Sequence, residues 1–356
     1  MNSIKVEPAP AASAVAQLHN SWKEIVAKYQ VPSTRRAIWQ VLNTLIPYLA
    51  VWLLIRFTKD ISLWLTLPLA LLGGGLMVRM FIIFHDCGHG SFFSSRRAND
   101  VLGSIAGVLT FTPYFHWRWE HSIHHATSGD LDRRGVGDVW TMTVDEYLKA
   151  SKGKRLAYRL TRNPFVLFVL GPAFLFLFRE RFPTRTAPRR ERWSVYATNA
   201  GILLFGFAMS WLIGFKLYLM CQLAMILIAG SAGVWLFYVQ HQFEGVYWER
   251  RENWDYCLAA LEGSSFYKLP KVLQWFSGNI GFHHIHHLSP RIPNYNLERC
   301  HRAEPLFQQI KPVTLLSSLK CVHFRLWDEQ RRRLVGFGIL REIRRQARGQ
   351  SPGFTA

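Results

Sequence analysis

Long apolar runs alternate with short, strongly basic stretches along this chain. Four runs have bilayer-crossing length: Ala37–Phe57, Ile61–Phe84, Val195–Phe215 and Leu217–Val239. A helix needs about 20 apolar residues to cover a hydrocarbon core roughly 30 Å thick. Helices on the surface of a soluble protein carry a polar stripe, and these runs do not. Arg79 lies near the end of the second run, where a long side chain is expected to reach the interface. Two shorter runs, Val101–Phe115 and Pro164–Phe178, have about 15 residues each and fall below comfortable spanning length. They are read as interfacial or re-entrant helices. The N-terminal MNSIKVEPAPAASAVAQLHN is Ala- and Pro-rich without an apolar run of signal-peptide length, so a mobile tail is expected. The C-terminal RLWDEQRRRLVGFGILREIRRQARGQ, residues 325–350, reads as a basic helix lying on an anionic membrane surface.

Charge changes the picture by fixing orientation. The 356 residues include 43 Lys and Arg against 23 Asp and Glu, a formal charge of +20. In a soluble protein that excess would point first to nucleic acid. Here the basic residues sit between apolar runs, and no nucleic-acid partner is expected. Lys23, Lys28, Arg35 and Arg36 precede the first run, and Arg96, Arg97, Arg133 and Arg134 follow the second. Arg56 and Lys59, partly offset by Asp60, lie between the first two runs, and Lys216 stands alone between the last two. The positive-inside rule then places both termini and the 85–194 segment in the cytoplasm. The expected architecture is all-α and integral to the membrane: four transmembrane helices in two hairpins, with a cytosolic helical cap. Cys87, Cys221, Cys257, Cys300 and Cys321 are scattered without a CxxC pair. That pattern argues against a disulfide framework or a thiolate metal site.

Histidine spacing supplies the chemistry. His85 and His89 stand four apart; His121, His124 and His125 stand at i, i+3 and i+4; His283, His286 and His287 repeat that pattern. On a helix, residues three and four apart share a face. Each cluster therefore presents two or three imidazoles to one side, as metal coordination requires. With 14 histidines in the chain, a chance HxxHH is expected roughly 0.02 times. A single cluster would pass as surface polarity; three together do not. Imidazole suits Zn, Cu, Fe and Ni. One tetrahedral zinc takes four ligands, and eight imidazoles exceed that. Two ions account for the number better. The first cluster begins where the second span ends, at the cytosolic mouth of the bilayer, and an iron pair that activates dioxygen fits that position.

The segments HDCGHGSFF, PYFHWRWEHSIHH and GFHHIHHLSPRIPNY resemble the three histidine boxes of membrane fatty acid desaturases. GDVWTMTVDEY (137–147) and YVQHQFEG (238–245) add to the resemblance, which covers roughly residues 37–325. The HxxxH first box and the His283 that opens the third are most similar to the bacterial and cyanobacterial Δ12/ω6-type, acyl-lipid branch. The resemblance implies a di-iron centre (Fe2+/Fe3+) with O2 as co-substrate. By position its ligands are His85, His89, His121, His124, His125, His283, His286 and His287, with His241 as a further one. Metal-bound histidines donate their other N–H to a carboxylate or carbonyl. Asp86, Glu120, Asp130 and Asp138 are candidates for that role, and His284 is a neighbour that breaks the ligand spacing. His116, in an aromatic run, reads as an interfacial anchor.

The implied reaction is insertion of a cis double bond into the acyl chain of a membrane lipid. The implied location is the bacterial inner membrane, with the metal site on the cytoplasmic side. FTPYFHWRW (111–119) and the 164–178 run are candidates for shaping an acyl channel. The chain shows no haem segment, iron–sulfur cysteine set or GxGxxG fingerprint, so a separate electron donor, ferredoxin or cytochrome b5, is expected. The basic cytosolic surface would attract an acidic protein of that kind. The expected organisation is a tail and cytosolic lead-in (1–34), a membrane desaturase domain (35–325) and a basic amphipathic C-terminal segment (326–356). Two alternatives stand beside it: a hydroxylase on the same scaffold, and a metal transporter. Transporters place ionisable ligands near mid-membrane, where these spans have no histidine.

Overall fold

The structure, a computed structural model, describes residues 22–349. A short α1 (22–27) leads into α2 (Thr34–Thr58), α3 (Thr66–His89), α4 (Arg96–Leu109) and α5 (Tyr114–Thr127). After α6 (Val144–Lys149), α7 (Lys152–Thr161) and α8 (Gly171–Leu177) come the long α9 (Arg189–Ile213) and α10 (Phe215–His241). The remainder is built from α11 (Tyr256–Leu261), α12 (Lys271–Phe276), α13 (His283–Leu288), α14 (Asn294–Ala303), α15 (Pro305–Gln308), α16 (Leu315–Ser318) and α17 (Ile339–Gly349). Five short strands, β1 (Met142–Thr143), β2 (Phe266–Lys268), β3 (Pro312–Thr314), β4 (Leu326–Asp328) and β5 (Arg333–Val335), stitch these helices together. They form a sheet in the order β1-β4-β5 and a parallel pair, β2 with β3.

Among the described residues four helices, α2, α3, α9 and α10, are long and apolar enough to cross a membrane. The chain is an all-α integral membrane protein. Apolar composition marks where hydrocarbon lies, but helical hydrogen bonding continues into polar flanks. α2 therefore starts at Thr34, where Ser33 caps it, and α9 starts at Arg189, before the apolar run begins. α3 starts at Thr66 because Ile61–Leu65 is spent on the connecting turn. It also runs on through His89 and stops at Gly90, whose φ of 69° is the left-handed conformation that ends helices. The first histidine pair is thus held inside the helix.

α3 is the central staff, packed against α2, α4 and α10. A Cβ on Gly73 or Gly74 would run into Met225 or Ile228 of α10, so these small residues set the close approach of the two helices. Tyr48, Trp52, Leu76 and Met225 fill the core between spans, while Leu203, Leu204, Phe207 and Trp211 of α9 face outward to lipid. Arg79 does not reach for the interface. It is buried, donates to Thr44 Oγ1 at 3.1 Å, to Asn43 Oδ1 at 3.3 Å and to the Trp275 carbonyl, and lies 4.0 Å from the Trp275 ring centre. Neutral acceptors and an aromatic face inside the protein replace the water it was expected to seek.

The 164–178 run forms no straight span: α7 and the Val166–Arg181 segment are bent by 68°. The 101–115 run divides between α4 and the start of α5.

The C-terminal segment differs from expectation, and the lead-in to the first span is docked. In residues 22–34 Val26 is buried beside Ile285 and Leu297. Gln30 donates to Ser289 Oγ at 2.9 Å, and the Ser33 amide donates to Tyr295 Oη at 2.9 Å. Residues 1–21 of the expected tail lie outside the described residues. The segment after 325 opens with strands, not a continuous basic helix. β4 pairs in parallel with β1 and antiparallel with β5, and Trp327 is buried in a stack on Trp248 with ring centres 5.6 Å apart. The buried Trp327 and the β1 partner override the helical reading, which holds for α17 alone. No break in packing falls at residue 325, and residues 350–356 lie outside the described part.

Candidate metal centre

The four helices that carry the clustered histidines meet at one end of the spans. α3 ends with His85 and His89 in its last turns, α5 carries His121, His124 and His125 on one face, and α10 ends at His241. α13 is six residues long, yet it is fixed by buried Ile285 and Leu288 and by the Tyr256 hydroxyl, which donates to the His287 carbonyl at 2.7 Å. It therefore presents His283, His286 and His287 to the other three helices.

The rings fall into two adjoining groups. His85, His89, His121, His125 and His286 form one; His124, His241 and His287 form the other; within each, the ligand atoms lie within 4.8 Å of one another. His283 joins the second, its Nε2 3.0 Å from His241 Nε2. Nε2 atoms also face each other at 3.1 Å between His125 and His121 and between His286 and His125, and at 3.2 Å between His124 and His241. His125 and His287 stack at 4.2 Å, so the groups share a wall.

Burial, and then the neighbouring imidazoles, push His125, His283, His286 and His287 well below the ordinary histidine value. These rings are neutral at pH 7 and keep a lone pair free, as a metal requires. Nε2 of His89 and of His287 is buried without a hydrogen-bond partner. Leaving such atoms unpaired is costly. Nine nitrogen donors with no thiolate among them, converging on two points, fit borderline divalent metals.

The carboxylate candidates separate. Asp138 accepts from His124 Nδ1 at 2.7 Å. The turn that brings it there needs Gly137, whose φ is 71° and whose Cβ would meet His124 Cβ at 3.0 Å. Asp86 lies 3.1 Å from His85 Nδ1 and also accepts from the Asn294 amide at 2.6 Å and its side chain at 2.8 Å. Glu120 faces away from the histidines, toward Arg179 at 2.8 Å and Thr184 Oγ1 at 2.9 Å. Asp130 turns toward Arg133 at 2.5 Å and the Asp132 amide at 2.9 Å. His284 points out of the cluster, packed among Phe266, His301 and Phe307. His116 is not interfacial: it is buried, with Nε2 3.1 Å from Thr184 Oγ1.

Three residues at the site were missed. Asn294 holds Asp86 and accepts from Gln40 at 3.0 Å, with only its place in the SPRIPNY turn to mark it. Trp117 stacks on His121 at 4.2 Å, and Phe237 lies 5.0 Å from His241 and 5.1 Å from His124. Each aromatic precedes its histidine by one helical turn, a spacing that could have found them.

Fold and site together define a multi-pass membrane protein with a buried histidine cluster able to hold metal. Residues 62–313 match the family described as Fatty acid desaturase. A fatty acid desaturase of Bacillus subtilis (strain 168) is 50% identical over 89% of this chain and 90% of that protein. An sn-1 acyl-lipid omega-3 desaturase (ferredoxin) of Nostoc sp. (strain 36) is 27% identical over 74% of this chain and 73% of its own length. An sn-1 oleoyl-lipid 12-desaturase of Synechocystis sp. is 28% identical over 67% of this chain and 68% of its own. The chain belongs to the fatty acid desaturase family, and it is an enzyme of that class.

Proposed function

We propose that this protein inserts a cis double bond into an acyl chain of a membrane lipid, at a Δ12/ω6-type position, using O2 and two irons. The irons would be held by His85, His89, His121, His124, His125, His241, His283, His286 and His287. The observation that carries the reading is the convergence of these imidazoles into two groups sharing one wall. When bound, the metal supplies O2 activation and hydrogen removal from an unactivated methylene.

The chain's own residues do the rest. Burial keeps the rings of His125, His283, His286 and His287 neutral. Asp138 and Asp86 hold the Nδ1 sides of His124 and His85, which aims each Nε2 inward. Phe237 packs an apolar ring against His241 and His124, and Trp117 stacks on His121. The overall reaction joins –CH2–CH2–, O2, two electrons and two protons into –CH=CH– and two waters. The electrons need a separate donor, and the omega-3 desaturases of Nostoc sp. and Synechocystis sp. are named for ferredoxin. Cytochrome b5 is the other donor class considered. The basic flanks of the spans support a cytoplasmic site in a bacterial inner membrane.

The test is lipid analysis by mass spectrometry of a host expressing the protein, against the same host expressing His124→Ala. An acyl product lighter by two hydrogens, absent with the variant, is expected. A product heavier by one oxygen would assign a hydroxylase instead, and identical lipids from both strains would overturn the reading.

A further inference from the structure

An open cleft reaches the five-histidine group from outside. It is lined by His89, His121, Phe115, Trp117, Arg118 and Arg190, with Glu191 at its edge. His89 is half-buried, whereas His85, His124, His125, His241, His283, His286 and His287 are buried. Trp117 is half-buried too. One face of its indole is stacked on His121 at 4.2 Å and 20°, and the residue lines the cleft beside His89 and His121.

The cleft is framed by the end of α3, the α5 face and the first turn of α9, with α4 alongside. Asp100 of α4 ties α5 to α9, bound to Arg118 at 3.0 Å and Arg190 at 3.3 Å. Around this knot Arg96, Arg97, Arg189 and Arg192 are exposed. Six arginines thus surround two acidic groups, Asp100 and Glu191. Such a rim attracts an acidic partner and speeds its encounter.

We propose that this cleft is the docking site of the electron donor, a small acidic iron–sulfur protein, and that Trp117 is the contact through which electrons pass to the histidine-held metal. The inference rests on the desaturase reading and locates its donor. Each encounter moves one electron: the donor's reduced cluster is oxidised by one unit and the metal centre is reduced by one. No bond changes and no proton moves in that step. Two encounters supply the two electrons that O2 needs beyond those drawn from the acyl C–H bonds. Electron tunnelling weakens steeply with each ångström of gap; His89 and His121 line the cleft themselves, and the indole stacked on His121 enlarges the surface through which a donor reaches that ring. A lipid headgroup at the same arginines would have no use for that contact.

The experiment uses the full chain in detergent and an oxidised [2Fe–2S] ferredoxin as the probe. Binding is measured by biolayer interferometry at several salt concentrations, on metal-free and iron-loaded protein. Arg97→Glu combined with Arg190→Glu is expected to weaken binding at least tenfold and to flatten its salt dependence. Lys216→Glu, at the opposite end of the spans, should leave binding as it was. Stopped-flow oxidation of reduced ferredoxin by the iron-loaded protein then tests the contact. Trp117→Leu is expected to slow it at least tenfold at unchanged affinity, and Trp117→Phe to restore most of the rate. Unchanged ferredoxin affinity in the arginine variant overturns the docking site. So does an arginine variant that loses only binding to phosphatidylglycerol nanodiscs. Wild-type oxidation rates in Trp117→Leu overturn the contact. Because the binding arm needs no metal, failure of the desaturase reading shows separately, as iron-loaded protein that makes no unsaturated product.

Discussion

Asp138→Asn is the sharpest probe of the two-group arrangement. The substitution keeps the shape of the side chain and removes its charge. In the native protein Asp138 accepts from His124 Nδ1 at 2.7 Å, which fixes the tautomer and leaves Nε2 bare toward His241. A hydrogen bond to a charged group contributes about 1.5–3 kcal/mol. The carboxylate is 20% exposed, so the lower end applies: about 1.5 kcal/mol, or about tenfold in affinity for an ion at His124, His241 and His287. Losses of about 10–100-fold are usual when such a partner of a metal ligand is removed. Asp138 bonds His124 and none of the five-histidine group, so the ion of that group should stay. Iron content measured by plasma mass spectrometry, across a chelator titration, reads both sites at once. The expected result is a plateau at half the wild-type iron, at chelator levels where the native protein is still full. A variant that keeps both ions with native affinity, or loses both in parallel, refutes the reasoning.

Gly137→Ala should reproduce the Asp138→Asn iron loss through geometry, since its strained φ and the crowding on His124 cost about 1–2 kcal/mol and displace the turn; the same titration checks it. Asp86→Ala should lower thermal stability in detergent by about 3 kcal/mol or more, because the Asn294 amide and side chain are left as buried, unpaired donors; an unchanged melting curve would remove Asp86 as a clamp. His284→Leu is expected to retain iron and product while His287→Ala loses both, and equal behaviour of the two would contradict the outward orientation of His284. His301 is pushed down to about 4 by burial and then by Arg302. Between that value and its ordinary 6.5 the unfolded chain binds a proton that the folded one does not, so stability falls as pH drops through this window. The loss should be no more than about 3 kcal/mol for this buried ring, and His301→Gln should flatten it in melts from neutral to acid pH.

The membrane-crossing runs were legible because the hydrophobic effect acts on composition, and composition is what a sequence displays. Their ends were not, because Arg189 and His89 extend helices on backbone hydrogen bonding alone. The histidine periodicity put each cluster on one helical face. That the four faces meet is a tertiary fact, and His241, a single residue, had no periodicity and was marked by resemblance alone. The carboxylates show the limit most clearly. Glu120 is adjacent to His121 in sequence, yet one residue along a helix turns the side chain about 100° away, and it serves Arg179 instead. Asp138 lies far along the chain from His124 but reaches it by a tight turn. Charge at the C-terminus suggested a helix, and the buried Trp327 with its β1 partner, which no local pattern announces, made strands of the first part.

Asn294 and Tyr295 come after the last histidines, yet they fasten residues made much earlier: Asp86 and Gln40 through Asn294, Ser33 and Phe92 through Tyr295. Synthesis runs in one direction, so both hairpins are already in the bilayer before this knot can be tied. A nascent chain stalled ahead of residue 283 owns two of its three histidine boxes and has nothing to close them. Metal loading at the complete cluster therefore follows the synthesis of residues 283–295.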